Sequence, residues 1–159
     1  MSGEESVGTA AADPSADQAA IRALLTRQIK SWDAGDPVAY ASTYTRNGDC
    51  VSFLGGHYQG RDAIAASCEV PRPGSVIKRL LRGARLRLQI TDLRFVTSDV
   101  AVVHALCGAT RNERLRGRNV RLNTSVAVRT VDGWLLTSSQ NTTRHPVTER
   151  LISKAASRR

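Results

Sequence analysis

The second half of the chain alternates apolar and polar side chains over long stretches, and this pattern limits the folds that the chain can adopt. Leu86, Leu88 and Ile90 alternate with arginine and glutamine, which is typical of a β-strand with one buried and one wet face. Residues 100–107 are apolar on both faces, which favours a central strand. The last two predicted strands, joined by a turn at 131–133, are 120–130 and 134–142. The pattern therefore predicts a long antiparallel meander.

The first half carries helical spacing instead. An amphipathic helix is predicted from Ser15 to a stop at Gly35, and a short second helix begins at Asp36-Pro37. In the first of these helices, apolar residues recur at helical spacing and polar residues occupy the rest of the helical wheel. The apolar residues are Ile21, Leu24, Leu25, Ile29 and Trp32. A turn at 47–49 is predicted to lead into a small hairpin, 50–54 and 57–59. A third helix follows from Gly60 until the prolines after residue 70 end it.

Helices followed by a run of long strands indicate one α+β domain, in which a curved antiparallel sheet wraps around three N-terminal helices. The predicted domain spans residues 16–144. Residues 1–15 lack the apolar residues that could fold them, so we expect a disordered acidic tail there. Residues 145–159 are expected to form a basic tail that frays, with one helical turn possible at 147–152. Residues 71–83 fit either a loop or an extended lead into the next strand.

Charge and cysteine content narrow the function classes. The chain has a formal net charge of +9 and three widely spaced cysteines, without the paired spacing of a zinc or redox site. The N-terminal sequence lacks the pattern of a secretory signal and no apolar run could span a bilayer, so we expect a cytoplasmic protein that does not enter a membrane. An arginine-rich stretch at 111–121 lacks aromatic residues that could stack on bases, which makes nucleic acid a less favoured partner than an acidic carrier protein.

Aromatic residues are concentrated in one segment. Five of the seven aromatic residues of the chain are Trp32, Tyr40, Tyr44, Phe53 and Tyr58. Large apolar rings with polar tips suit either a core or the lining of a small-molecule site. We therefore consider Trp32, Tyr44 and Phe53 as candidate ligand-binding residues, with packing in the core as the alternative.

Histidines are the candidate proton-transfer groups, because they titrate near neutral pH. His104 shares one strand face with Val100, Val102 and Leu106; if that face looks inward, its imidazole points at the ligand, and otherwise it is a hydrogen-bonded core histidine. His57 sits in a glycine-flanked turn and either rims the pocket or lies on the surface. Two amides on the last strands are candidates for orienting an oxygenated ligand: Asn123 and Gln140.

A family resemblance supports this order of elements. The segments that carry it are WDAGDPVAYASTYTRNGDCVSFLGGHYQGRDAIAA, DVAVVHALCG, DGW and SQNTTR. They resemble the SnoaL-like and ketosteroid-isomerase-like branch of the nuclear-transport-factor-2-like superfamily, in particular the SgcJ/EcaC type found in enediyne and other polyketide pathways. The resemblance implies a cone-shaped α+β fold with a cavity between helices and sheet, and a homodimer formed through the outer face of the sheet. Isomerases, dehydratases, polyketide cyclases and binding modules all use this fold.

This chain lacks the two catalytic groups that ketosteroid isomerases use, so their mechanism is not expected here. Ketosteroid isomerases place a tyrosine seven residues before the glycine of the AGD turn, where this chain has Gln28, and no Asp or Glu occurs from Cys50 through Arg61 to supply their base. The resemblance instead implies a protein of enediyne or polyketide biosynthesis that binds an apolar, polyene-like intermediate, with His104 as acid or base if it is an enzyme. The alternative is a non-catalytic module that docks an acidic carrier domain. No metal, nucleotide or dinucleotide motif is present, so we expect no cofactor.

Overall fold

A computed structural model describes residues 14–68, 83–112, 114–115, 117 and 120–157 of the chain. Its four helices are α1 Pro14–Ala34, α2 Pro37–Ala41, α3 Gly60–Cys68 and α4 Pro146–Ala156. Its six strands are β1 Tyr44–Val51, β2 His57–Gln59, β3 Arg85–Thr97, β4 Val100–Thr110, β5 Arg121–Thr130 and β6 Gly133–Thr143. The predicted order of elements is therefore confirmed from α1 to β6, and residues 1–13 and 69–82 lie outside the described residues.

The strands form one sheet in the order β2-β1-β6-β5-β4-β3. The predicted α+β class with a curved sheet is confirmed, but the sheet is mixed because β1 runs parallel to β6. The other pairs are antiparallel. Adjacent strands joined by short turns can be predicted to pair antiparallel, whereas the first and last strands meet only through the tertiary fold.

Strand β1 begins earlier than the sequence predicts, and the expected turn at 47–49 lies inside it. Gly48 is buried there, in a stretch where the register with β6 shifts. A Cβ atom at this position would lie 3.2 Å from the carbonyl oxygen of Leu136 and 3.1 Å from Oγ1 of Thr45. The glycine therefore permits a close approach of two backbones rather than a reversal of the chain.

Helix α1 packs its apolar side on the sheet and buries Ile21, Leu24 and Leu25. Gly35 ends the helix with a positive φ of 67°, as the sequence predicts. Asp36 is the N-cap of α2 and accepts a hydrogen bond of 2.9 Å from the backbone N–H of Ala39. These caps fix the angle between α1 and α2, and so the position of the aromatic residues that both helices carry.

Two aspartates of α1 attach the helix to the sheet. Asp33 Oδ1 accepts a hydrogen bond of 2.7 Å from the backbone N–H of Leu86, at the start of β3. Asp17 accepts hydrogen bonds from Trp134 Nε1, at 3.0 Å, and from Arg129. The hydrogen bond from Arg129, followed by that from Trp134, lowers the pKa of Asp17. Asp17, at the start of the predicted domain, is therefore a buried anchor.

The two faces of the sheet differ. Alternate residues of β4 from Ala101 to Cys107 are buried against the helices, while those between them are half-buried on the outer face. The outer face carries apolar residues including Val102, Val126 and Leu122, the last 39% exposed. A homodimer through this face stays a prediction.

The C-terminal tail does not fray at 146–156 but forms α4, with none of its residues buried. Its apolar residues Val147, Leu151 and Ile152 are 73%, 65% and 64% exposed. Within the described part of the chain, no helix is both long and apolar enough to cross a membrane. The three cysteines are free thiols, with Cys50 and Cys107 buried.

Candidate functional site

A cavity of about 490 Å³ lies between the first two helices and the inner face of the sheet. Cavities of this size hold small organic molecules. Its apolar wall consists of Trp32, Tyr40, Tyr44, Phe53, Leu86 and Leu88. Its polar groups are Gln28, Cys107, Arg121, Asn123 and Asn141. The helices therefore supply mainly aromatic surface, and the sheet supplies most of the polar atoms.

The aromatic wall comes from the segment in which the sequence concentrates its rings. Tyr40 and Tyr44 pack at a tilt with ring centroids 6.1 Å apart. The hydroxyl of Tyr44 lies 2.7 Å from Oγ of Ser139, and burial raises the pKa of both tyrosines. Phe53 is 46% exposed, so it forms part of the rim. This wall is apolar and neutral inside, and open to solvent near Phe53.

A hydrogen-bonded network on β5 and β6 fixes the amides at the cavity. Ser125 Oγ donates to Asn123 Oδ1 at 2.8 Å, and Asn123 Nδ2 donates to Asn141 Oδ1 at 3.0 Å. Cys107 Sγ donates to the same Asn141 oxygen at 3.4 Å. Because these contacts occupy the carbonyl oxygen of Asn141, its NH₂ group is the donor that it can offer to a ligand.

Arg121 is the charged group at the cavity. It opens β5, in register with Cys107 of β4, and its guanidinium lies 4.1 Å from the centroid of the Phe53 ring. Burial raises the pKa of Cys107 to about 11, although the positive charge of Arg121 opposes this shift. The thiol is therefore neutral at physiological pH, and Arg121 carries the charge.

Acid and base groups that titrate near neutral pH are absent from the described lining of the cavity, which holds no Asp, Glu or His. Nor do the described residues contain a cluster of three or more His, Cys, Asp or Glu that could hold a metal ion. The arrangement can enclose an apolar molecule and donate hydrogen bonds to its oxygens from Asn141 and Arg121. It can stabilise negative charge on a bound oxygen.

Comparison with known proteins identifies the family. The sequence model of the SnoaL-like domain matches residues 13–140. The chain belongs to the SnoaL-like domain family. No curated protein sequence matches the chain. Among solved structures, a Nostoc punctiforme domain of unknown function with a cystatin-like fold is 23% identical, covers 90% of this chain and 86% of its own, and superposes with a TM-score of 0.71.

Two further structures are similar to this SnoaL-like domain. A scytalone dehydratase candidate from Novosphingobium aromaticivorans is 18% identical, with 82% of this chain and 85% of the other covered and a TM-score of 0.65. Aln2 from a Streptomyces species is 15% identical, with 90% and 97% covered and a TM-score of 0.62. At these identities the similarities show a shared fold.

The SnoaL-like cavity contains four of the residues that the sequence suggested for ligand binding or catalysis. Trp32, Tyr44, Phe53 and Asn123 line it together. Asn123 Nδ2 donates to Gln140 O and Asn141 Oδ1 of β6, and its Oδ1 accepts from Ser125, so Asn123 positions Asn141 rather than facing a ligand with a vacant donor. The positions of the three aromatic residues therefore support their assignment to the ligand pocket, and Asn123 acts by orienting Asn141.

His104 lies on the outer face of the sheet, so the suggestion that it faces the cavity is wrong. Buried residues of β4 alternate with His104, and its Nδ1 lies 3.1 Å from Oγ1 of Thr124 on the neighbouring strand. The sequence groups His104 with the correct strand face. That face points away from the helices, because the smaller side chains of the strand pack inward.

His57 and Gln140 also lie outside the cavity lining. The exposed His57 pairs with Asp49 through Nε2 and Oδ2, 2.7 Å apart. Hydrogen bonds from Ser138 and then from His57 lower the pKa of Asp49. Gln140 is exposed, and its backbone carbonyl, not its side chain, accepts a hydrogen bond of 3.4 Å from Asn123. His57 therefore pairs with Asp49 at the sheet edge, and Gln140 contributes to the amide network through its backbone carbonyl.

Sequence reasoning missed three polar groups of the cavity. Arg121 belongs to the arginine-rich stretch at 111–121, which the sequence does not connect with a pocket, and the structure places it as the first residue of β5. Asn141 had no assigned strand face, because a register shift in β6 exchanges the two sets of side chains. Gln28 lines the cavity and donates to Thr43 Oγ1 at 3.3 Å. The sequence signal that could have identified Gln28 is its alignment with the tyrosine donor of ketosteroid isomerases.

Proposed function

We propose that this SnoaL-like protein is an accessory protein of polyketide biosynthesis. It binds a largely apolar, conjugated intermediate with oxygen substituents and steers its cyclisation or isomerisation. The observation that carries the proposal is the cavity of about 490 Å³, which combines an aromatic wall with donors grouped at Arg121 and Asn141. Such a site aligns a flexible chain by confinement and holds its oxygens at one end.

The donors suggest how a reaction would be assisted. Removing a proton next to a carbonyl places negative charge on the carbonyl oxygen, and fixed donors in an apolar cavity stabilise that charge. Tyr40, Tyr44 and Cys107 have raised pKa values and stay protonated at neutral pH, so they do not supply the base. A substrate with an acidic methylene between two carbonyls can lose its proton to water, and the cavity then favours one folding of the enolate.

The finer biological setting is also a proposal. The SgcJ/EcaC-type likeness of the sequence supports a role in an enediyne pathway. One structural neighbour is named as a scytalone dehydratase candidate, and another is a Streptomyces protein. These similarities support acid–base chemistry on a polyketide.

A second candidate function is non-catalytic binding. It is favoured by the lack of Asp, Glu and His in the described lining. In this role the cavity shelters a reactive intermediate, and the basic surface docks an acidic carrier domain. The two candidates differ in rate: an enzyme accelerates conversion of free intermediate, whereas a binding module changes only its lifetime or its product distribution.

The test is product formation by a reconstituted synthase with added protein, measured by liquid chromatography and mass spectrometry. Ala109→Trp places an indole in the cavity, whose wall includes Ala109, and we expect it to abolish the effect of the protein. His104→Ala is the matched control on the outer face and should retain the effect. Circular dichroism establishes that both variants fold. Identical products with wild type and a folded Ala109→Trp variant would show that the cavity is not the site.

A further inference from the structure

Two amide side chains of the cavity lining, Gln28 on α1 and Asn141 on β6, are each held in one orientation by their neighbours. An amide has an acceptor end and a donor end, so the end that faces the cavity selects the ligand. We propose that the ligand carries a neutral enolic or phenolic hydroxyl that donates to Gln28 Oε1, and a carbonyl oxygen that accepts from Asn141 Nδ2. This inference rests on the proposed binding function and adds the chemical class of the ligand's oxygens and the residue that recognises each.

Thr43 fixes the orientation of the Gln28 amide. The hydroxyl of the fully buried Thr43 donates its hydrogen to the backbone carbonyl of Tyr40 at 2.7 Å. A hydroxyl has one hydrogen, so toward Gln28 it can only accept. Gln28 Nε2 donates to it at 3.3 Å. The amide nitrogen must therefore face Thr43, because an exchange of the two amide ends would place two oxygens against each other.

The carbonyl end of Gln28 faces the cavity. Gln28 is 6% exposed and belongs to the cavity lining. Its Oε1 accepts no hydrogen bond from the residues that the structure describes, and it is not one of their fully enclosed atoms that lack a partner. A buried acceptor of this kind requires a donor from water or from a ligand. Trp32, one turn further along the same side of α1, also lines the cavity, so this acceptor lies beside the aromatic wall.

The donor end of Asn141 is fixed in a similar way on β5 and β6. Asn123 Nδ2 donates to the backbone carbonyl of Gln140 at 3.4 Å, which places the nitrogen of Asn123 on the side of β6. The same nitrogen donates to Asn141 Oδ1 at 3.0 Å, while Ser125 Oγ donates to Asn123 Oδ1 at 2.8 Å. Asn141 therefore presents its oxygen to Asn123. Its Nδ2 donates to none of the described residues and is available to a ligand.

The two orientations select among the oxygen groups of a conjugated ligand. A hydroxyl satisfies the acceptor at Gln28, whereas an ether at the same place brings only lone pairs and leaves Oε1 without a donor. A ketone satisfies the donor at Asn141, whereas a hydrocarbon leaves that donor without an acceptor. A conjugated hydroxy-ketone, or the enol form of a 1,3-dicarbonyl compound, carries both groups. The cavity should therefore prefer enolic or phenolic chain segments to their O-methylated counterparts.

Two pairs of naphthalenes, uncharged at neutral pH, test the two amides separately. The fluorophore N-phenyl-1-naphthylamine reports binding to the apolar cavity through its increased emission and is then displaced by each compound. 2-Naphthol and 2-methoxynaphthalene differ in the donor hydrogen, and 2-acetylnaphthalene and 2-isopropenylnaphthalene differ in the carbonyl oxygen. We expect the naphthol and the ketone each to compete about fivefold or more better than their counterparts, as one buried hydrogen bond requires. Apolar burial alone would favour the ether and the alkene.

Substitutions assign each preference to one amide. Gln28→Met keeps the length of the side chain and should lose the preference for naphthol over ether, while keeping that for ketone over alkene. Asn141→Leu should show the opposite pattern. Gln89→Met, at an exposed glutamine of β3 outside the cavity lining, is the matched control and should behave as wild type. A general loss of packing would weaken the binding of all four compounds together, so the opposite patterns separate recognition from stability.

If neither the fluorophore nor any naphthalene binds wild-type protein, the proposed function fails as well. If they bind, a ratio close to one in either pair overturns only the assignment at that amide. The assignments are also overturned if Gln28→Met keeps the naphthol preference or Asn141→Leu keeps the ketone preference. Should Gln28→Met bind no fluorophore, Gln28→Asn decides the question, because it keeps the amide but shortens the side chain by one methylene. A reduced naphthol ratio in this variant supports the role of Gln28, and an unchanged ratio overturns it.

Discussion

The hydrogen bond between Tyr44 and Ser139 joins strand β1 to strand β6 at the cavity wall. The two oxygens are 2.7 Å apart, and the residues are 1% and 3% exposed. Tyr44→Phe removes one hydroxyl and keeps the ring, so it changes the hydrogen bond without enlarging the cavity by a ring. Ser139→Ala removes the other hydroxyl.

The size of the effect follows from burial. Each single substitution removes this hydrogen bond between two buried residues, which costs about 1–3 kcal/mol of unfolding free energy. In a chain of 159 residues, each kcal/mol corresponds to a fall in Tm of about 2–4 °C. The double variant loses both hydroxyls together, so its cost should be below the sum of the single costs by about 1 kcal/mol.

Urea unfolding followed by far-ultraviolet circular dichroism, at one protein concentration, measures this double-mutant cycle. Tyr58→Phe is the control, since no described hydrogen bond involves the hydroxyl of the half-buried Tyr58, and it should change stability by less than about 0.5 kcal/mol. Tyr44→Phe should still bind the neutral fluorophore N-phenyl-1-naphthylamine, whose emission increases in an apolar cavity. Additive costs of the two single substitutions, with no coupling, would show that the hydroxyls do not depend on each other.

Three further predictions concern ionisation and the C-terminus. The pKa values of Asp17 and Asp49 are lowered from 3.8, so the unfolded state binds more protons in acid. The stabilisation from these carboxylates is therefore complete above about pH 4 and is lost as pH falls through the folded pKa values. Urea unfolding at pH 2.5–5.5 should show a shallower dependence of unfolding free energy on pH for Asp49→Asn than for wild type. Cys107, with a pKa of about 11, should resist iodoacetamide at pH 8 in the folded protein, by peptide mass spectrometry, and react when unfolded. Deleting residues 145–159 removes no buried residue of α4 and should change stability by less than about 0.5 kcal/mol in the same urea assay.

The fold was largely predictable because its signals are local. Hydrophobic periods of about 3.6 and 2 residues define the helices and the long strands, and turn residues join neighbouring strands. The parallel pairing of β1 with β6 was not predictable in this way, since 81 residues separate Val51, the end of β1, from Gly133, the start of β6. The role of Gly48 is equally non-local, because its reason is the backbone of Leu136.

The aromatic wall of the candidate site was predictable, because its rings are concentrated in one segment of the sequence. The residues that the strands contribute were not, because the sequence does not show which face of a strand meets the helices. Periodicity shows that His104 and Val102 share a face, but one strand does not reveal which face meets the helices. In β4 the inward residues include Ala101 and Ala105, which are smaller than most outward ones. Small side chains therefore face the core, and the larger ones, His104 among them, are left outside.

The distribution of carboxylates connects the fold to the chemistry of the cavity. Asp17 and Asp33 fasten α1 to the sheet, Asp36 caps α2, and Asp49 pairs with His57 at the sheet edge. Each of these aspartates is used to join secondary-structure elements, and none lines the cavity. A fold that elsewhere supports a carboxylate base therefore keeps, in this chain, the guanidinium of Arg121 as the charge at its cavity. Because the described lining holds no carboxylate or imidazole base, a substrate that reacts in this cavity must bring its own acidic proton.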